Sequence, residues 1–200
     1  MEEKITGILL AAGLSTRMGT PKQLLPFGNS TMLETVIDNL LQSKLGEVIV
    51  IIGHQADLIR STIKSEPIQI VFNPNFCDGM LSSVQCGIRS VSKSSSAFAI
   101  TLVDQPLITP DLIDIVITAH HENNYGITIP RFNGQRGHPA IFDRQYTEEI
   151  LELDQHSGGV RSILQTHTDD IYYIQVDSNR ILQDIDDKED YKRAIESISR

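Results

Sequence analysis

Tryptophan is absent from this 200-residue chain, and cysteine nearly so, with only Cys77 and Cys86 present. Two thiols without CxxC spacing give neither a disulfide framework nor a cysteine zinc site. Positive charge is also scarce: 17 Lys plus Arg stand against 26 Asp plus Glu, a formal net charge of −9. Nucleic acids and anionic membranes both select for basic faces, so neither is expected as a partner. An anionic ligand is still compatible with this balance if the few cations converge on one site. No apolar run approaches the ~18 residues that a membrane span requires. Residues Met1 to Lys4 lack a basic segment leading into an apolar stretch, so no leader is expected. With two reduced thiols, the cytoplasm is the expected compartment. There is no internal repeat, and the one biased tract, Ser92 to Ser96, reads as a surface loop.

What is present is ordinary globular material, 40% hydrophobic and 22% charged. A chain of this length removes roughly two-thirds of its unfolded surface from water, enough for a core without staples. We read residues 1–200 as one domain. Ile5 to Leu10, Val48 to Ile52, Ile68 to Phe72, Ala97 to Val103 and Ile127 to Pro130 are short β-branched runs that read as strands. Several lack polar alternation, as strands covered on both faces do. Apolar stripes at helical spacing lie between them. One runs over Met32, Leu33, Val36, Ile37, Leu40 and Leu41, with Gly46 as a stop, and a second over Leu81, Val84, Ile88 and Val91. A third, Leu112 to Ile117, opens with Thr109 as N-cap and Pro110 in the first turn. This alternation predicts an α/β fold, a mostly parallel sheet with helices on both faces. After Pro130 the rhythm changes. The pattern there predicts a hairpin connection at Arg131 to Gln135, strands at Ala140 to Phe142 and Ile171 to Val176, and helices at Tyr146 to Leu153, Gly159 to Gln165 and Tyr191 to Ile198.

The densest information is in LLAAGLSTRMGTPKQ, residues 9–23. A buried strand runs into Ala11-Ala12-Gly13, followed by Ser15, Gly19 and the cations Arg17 and Lys22. Small residues let backbone N–H groups approach phosphate oxygens closely, and Arg17 and Lys22 supply the charge that a triphosphate demands. The spacing is not that of a Walker A loop, because five residues separate Gly13 from Gly19 and Gln23 follows Lys22. The GxGxxG dinucleotide pattern is absent as well.

AAGLSTRMGTPKQLLPFG resembles the opening signature of the LAAG nucleotidyltransferases. Within that group it is most similar to the molybdenum-cofactor cytidylyltransferases and their purine-catabolism relatives. The resemblance implies a three-layer α/β/α, Rossmann-like nucleotidyltransferase fold. It also implies a nucleotide-binding part over about 1–110 and an acceptor-binding part over about 111–200.

Further motifs extend the resemblance. In NPNFCDGMLSSVQCG, Asn73 has an amide able to bond a base edge, Gly79 opens a helix with free N–H groups, and Ser82 and Ser83 lie in its first turn. In the family this segment helps hold the base and sugar; the same residues would also suit a plain turn and helix cap. Asp104 ends a central strand, where open α/β sheets bind ligands, and its carboxylate suits Mg²⁺. The family's metal-binding Asp stands in the same D-x-P context. Asp184-Ile185-Asp186 resembles a C-terminal family segment, and strand-like alternation would point both acids the same way. Asp186 is the chosen second ligand, with Asp184 the alternative. Asp187-Lys188 stand where the family has Thr-Pro, which leaves the geometry of this loop open. Arg131, Arg136, Gly137 and His138 fall in a segment resembling the family's acceptor-side R-G-H-P, and Arg161 in a looser match. His138 reads equally as a histidine of the interior.

The implied reaction is Mg²⁺-dependent attack by an acceptor phosphate on a nucleoside triphosphate, CTP with molybdopterin, serving a client molybdenum hydroxylase. A GTP-using or a sugar- or polyol-phosphate relative is the close alternative. A non-catalytic chaperone for the cofactor is the alternative of a different class.

Overall fold

A computed structural model describes residues 3–16 and 18–198. The chain runs β1 (Lys4–Ala11), β2 (Pro26–Phe27), β3 (Ser30–Thr31), α1 (Met32–Leu41), β4 (Glu47–Ile52), α2 (Ala56–Thr62), β5 (Gln69–Phe72), α3 (Met80–Ser90) and β6 (Ser95–Leu102). It continues through α4 (Pro110–Glu122), β7 (Ile127–Phe132), β8 (Gln135–Arg136), β9 (Ala140–Asp143), α5 (Thr147–Glu152), α6 (Val160–Thr166), β10 (Ile171–Gln175) and α7 (Lys188–Ile198). The main sheet has the order β10-β7-β9-β6-β1-β4-β5, with β8 paired to β7. β1 is parallel to both β4 and β6, while β9 runs antiparallel to β6 and β7.

Strand periodicity divides the core in two. Ile5, Leu9 and Ala11 of β1 pack with α1, α2 and α4 on one face of the sheet. Ile8, Leu10 and Ala12 pack with α3, α5 and α6 on the other. This is the three-layer arrangement the sequence pattern predicts, and it explains why β1 and β4 read as unbroken apolar runs. Gly87 lets α3 approach β1, since a Cβ there would meet Ile8 Cγ2 at 2.4 Å. A smaller cluster of Phe27, Met32, Leu107, Ile185 and Ala194 holds α7 against the β2–β3 hairpin.

Thr109 caps α4 by accepting from Leu112 N, and Pro110 is its first residue. The β7–β8 hairpin turns on Asn133 and Gly134, both at positive φ, which matches the right-handed twist of the strands it joins. Three local expectations need correction. Gly46 does not stop α1, which ends at Leu41; it serves the turn into β4, where a Cβ would collide with the Lys4 side chain. The serine tract is not wholly loop, because β6 begins at Ser95, whose hydroxyl is buried against Thr6 Oγ1 at 2.7 Å. The short helix α2 was not expected, for it buries only Ile59 and so shows no stripe.

Candidate active site

Three loops leave the carboxyl ends of β1, β5 and β6 and meet over a cavity of about 360 Å³. Its walls include Ala12, Gly13, Ser15, Lys22, Gly79, Ser83, Asp104 and Asp186.

The glycine-rich loop after β1 is held from below by a side chain that the sequence reading did not single out. Gln23 is fully buried, and its amide donates to Ala11 O at 2.9 Å and Gly13 O at 3.2 Å. Its carbonyl accepts from Ser15 Oγ at 3.2 Å, and Ser15 Oγ in turn accepts from Lys22 N at 3.0 Å. Ser15 takes φ +51, and its carbonyl receives Met18 N at 3.1 Å. The loop is thus a hydrogen-bonded knot that leaves the outer faces of Gly13 and Gly19 open. Only a polar residue directly after the motif's lysine could have pointed to Gln23. Arg17 lies outside the described residues.

Lys22 Nζ donates to Asp104 Oδ2 at 2.6 Å, Asp186 Oδ1 at 3.2 Å and the Ile185 carbonyl at 3.4 Å. Lys22 lies near the start of the chain, Asp104 at its middle and Asp186 near its end. Ile185 N bonds Asp104 O at 2.8 Å, and the buried Ile185 side chain anchors the C-terminal segment beside β6. The other carboxylate oxygen, Asp104 Oδ1, is buried without a hydrogen-bond partner among the described residues. A buried, unpaired carboxylate oxygen costs free energy unless a cation meets it, so this donor set fits a hard divalent cation. Asp184 does not share the site in the way alternation suggested. Its Oδ1 accepts from Gln105 Nε2 at 2.6 Å, and it lines a separate cavity behind the segment. Burial raises its carboxyl, the Gln105 bond opposes this, and Asp104 and Asp186 add to the rise. The residues that replace Thr-Pro leave the helix start intact. Asp187 Oδ1 accepts from Glu189 N and Asp190 N, while Asp190 Oδ2 accepts from Asp187 N, a reciprocal cap.

The loop between β5 and α3 is shaped from within. Asn73, 2% exposed, donates to Ser82 Oγ and Ser83 Oγ and accepts from Asn75 N. Ser82 Oγ donates to the Asn75 and Gly79 carbonyls. The amide of Asn73 therefore supports the loop, and the part of the segment that faces the cavity is Phe76, Cys77, Gly79, Met80 and Ser83. Gly79, at φ +98, sets the direction in which α3 begins.

A second cavity of about 420 Å³ adjoins the first and shares Met80 and Leu102 with it as a ridge. Its floor is aliphatic, with Val84, Ile100 and Ile129, and its rim carries Arg136, His138 and Arg161. Burial lowers the His138 imidazole to about 4, with the Asp104 charge opposing. The ring is therefore neutral near pH 7 and can orient a ligand by hydrogen bonding but not by charge. Gly137 has no room for a side chain, since a Cβ would come within 2.4 Å of Ile181 O. Arg131 is not part of this wall. Its guanidinium lies 4.3 Å from the Tyr173 ring and bonds Gly134 O, while Arg136 sits 5.2 Å from the same ring.

Among the described residues, no group of three or more His, Cys, Asp or Glu side chains is arranged to hold a metal by itself. No helix in the described residues is long and apolar enough to cross a membrane.

The MobA-like NTP transferase domain family matches residues 7–171 of the chain. The molybdenum cofactor cytidylyltransferase of Escherichia coli (strain K12) is 30% identical over 190 residues, 94% of each protein. A protein of Mycolicibacterium paratuberculosis named "Probable molybdenum cofactor guanylyltransferase" is 28% identical, covering 80% of this chain and 79% of its own. Among solved structures, Rv0371c of Mycobacterium tuberculosis H37Rv superposes with a TM-score of 0.86 at 27% identity, over 98% of this chain and 99% of that one. A structure of Rv0371C in complex with manganese gives a TM-score of 0.82 at 25% identity, over 98% and 100%.

Proposed function

The chain belongs to the MobA-like NTP transferase domain family and is a nucleotidyltransferase, and from that premise we propose that it transfers CMP from CTP to molybdopterin, releasing pyrophosphate. The observation that carries the reading is the pairing of Lys22 with Asp104 and Asp186 beside the glycine loop, where one buried oxygen of Asp104 has no partner. A pure carrier would not need a carboxylate pair and a lysine at the rim of a phosphate-sized cradle. The choice of CTP over GTP rests on the E. coli relative, which is the more similar of the two named relatives and matches nearly end to end.

In this reading residues 1–110 hold the nucleotide and residues 111–200 the acceptor, except that Asp186 reaches back to the first site. Backbone N–H groups of the loop after Ala12 receive the triphosphate, together with Ser15 and with Arg17, whose contribution is carried over from the motif. Gly79 and Ser83 border the nucleoside, while Asn73 and Ser82 keep their segment in shape. Asp104 and Asp186 would hold Mg²⁺, which supplies charge neutralisation at the α-phosphate when bound. Arg136, Gly137, neutral His138 and Arg161 line the acceptor side.

An acceptor phosphate has its second pKa near ~6 and is already dianionic at neutral pH, so no general base is required. One of its oxygens forms a bond to the α-phosphorus as the bond to the β-phosphate oxygen breaks. Lys22 and Arg17 meet the charge that develops on the leaving pyrophosphate. Met80 and Leu102, on the ridge between the cavities, set the approach of the two reactants. We place the enzyme in the cytoplasm, where it would serve a molybdenum hydroxylase.

The test is pyrophosphate release with Mg²⁺, molybdopterin and each of the four NTPs. Turnover with CTP alone is the expected result. Turnover with GTP instead would move the chain to the guanylyl branch, and molybdopterin binding without turnover on any NTP would favour the carrier.

A further inference from the structure

Lys22 lies between the two carboxylates proposed to hold the metal. Its ammonium has three N–H donors and three acceptors within reach: Asp104 Oδ2, Asp186 Oδ1 and the Ile185 carbonyl. Its side chain is only 13% exposed, so the contact is partly shielded from solvent. From this geometry we infer that Lys22 is an internal counter-ion that excludes the metal until a polyphosphate draws the ammonium away, so that metal and nucleotide bind interdependently. The inference rests on the proposed metal role of Asp104 and Asp186.

A divalent cation drawn to the unpaired Asp104 Oδ1 and to Asp186 comes against the ammonium already held by Asp104 Oδ2 and Asp186 Oδ1, and two cations so close repel strongly in a partly dry site. The lysine must therefore move, and the structure allows it. Lys22 N is fixed by Ser15 Oγ at 3.0 Å, and Gln23, the next residue, is pinned beneath the loop. The backbone can stay in place while the four-carbon stem swings across the cavity that both Lys22 and Gly13 line. Without a polyanion, that swing leaves the ammonium without partners of equal charge. With a triphosphate in the cradle, the ammonium exchanges its carboxylate contacts for phosphate oxygens, and the places it held on Asp104 and Asp186 pass to the metal. Each ligand then raises the affinity for the other by the same factor, as linkage requires. Metal loading ahead of the nucleotide is thereby suppressed.

The probe is Mn²⁺, titrated into the full chain and followed by the electron paramagnetic resonance signal of the free ion, alone and with CTP but no acceptor. Wild-type protein should bind Mn²⁺ weakly alone and roughly ten- to a hundredfold more tightly with CTP. Once the Mn²⁺ bound by CTP in solution is subtracted, Lys22→Met should bind Mn²⁺ alone at least about tenfold more tightly than wild type and show a smaller enhancement by CTP than wild type does. Lys22→Gln, a polar replacement, should behave in the same way, and melting in EDTA verifies that both variants are folded. Equal or weaker Mn²⁺ affinity in both variants, with binding still abolished by Asp104→Asn, would overturn the exclusion and leave the metal reading standing. Mn²⁺ binding that is indifferent to Asp104→Asn would overturn the metal reading itself, and this inference with it.

Discussion

The two adjoining cavities are built in opposite ways. Around the first, nearly every polar group is committed: Gln23 ties the glycine loop, Asn73 ties the second loop, and Lys22 joins residues 82 and 164 positions away. Around the second, the floor is aliphatic and the polar groups are a neutral histidine and exposed arginines at the rim. Rigid, hydrogen-bonded construction suits the part of the reaction that all nucleotidyltransferases share, the handling of a triphosphate. An apolar floor with a few placed polar groups suits recognition of one acceptor among many. On the proposed assignment, chemistry and specificity are separated by the ridge of Met80 and Leu102.

If that separation holds, damage to the two sides should differ in kind. Asp104→Ala should have the largest effect, a loss of roughly a thousandfold in kcat/KM for every acceptor, because it removes a ligand of the metal proposed to neutralise the reacting phosphate. Steady-state pyrophosphate assays would show it. Gln23→Ala comes next. It leaves the Ala11 and Gly13 carbonyls without their donor and should cost about 2–4 kcal/mol in denaturant unfolding, with a raised KM for the nucleotide.

Arg136→Ala should raise the acceptor KM about tenfold while leaving the nucleotide KM unchanged, as loss of a charged contact on one side predicts. Arg131→Ala should stay within about twofold, since its guanidinium is engaged by Tyr173 and Gly134. A reversal of these two arginines would break the assignment of the second cavity. The smallest effect is on pH dependence. The His138 imidazole is lowered from 6.5 to about 4 in the folded chain. Over that interval the unfolded chain binds a proton that the folded one refuses, so this contribution is complete above 6.5 and is lost as pH falls toward 4. His138→Gln should make the fall in melting temperature across the interval shallower.

The same contrast explains what could be read in advance. Strands such as β1 and β4 are legible because both faces are buried, and α1, α3 and α4 because each presents an apolar stripe. Lys22 and Asp104 are legible because charged residues next to a glycine turn or a strand end have few structural reasons to be there. Asn73 and Arg131 were credited with ligand contacts because their side chains are capable of them. Whether such a group faces outward or supports its own loop depends on partners such as Ser82, Ser83 and Tyr173, distant or unremarkable in the sequence. Gln23 was passed over for the converse reason: a glutamine after a lysine has no pattern, and its importance comes from the carbonyls above it. Asp184 and Asp186 part ways because their segment is not a strand, so alternation did not govern them.

The central claim is nucleotidyl transfer across the ridge, and its most direct test follows the phosphorus. CTP labelled at the α-phosphate, and separately at the γ-phosphate, would be incubated with the protein, Mg²⁺ and molybdopterin. The account predicts that the α-label appears in the acceptor product and the γ-label in pyrophosphate, with neither transfer in Asp104→Ala. An α-label that remains in CTP while molybdopterin is bound, or a γ-label that reaches the acceptor, would contradict it.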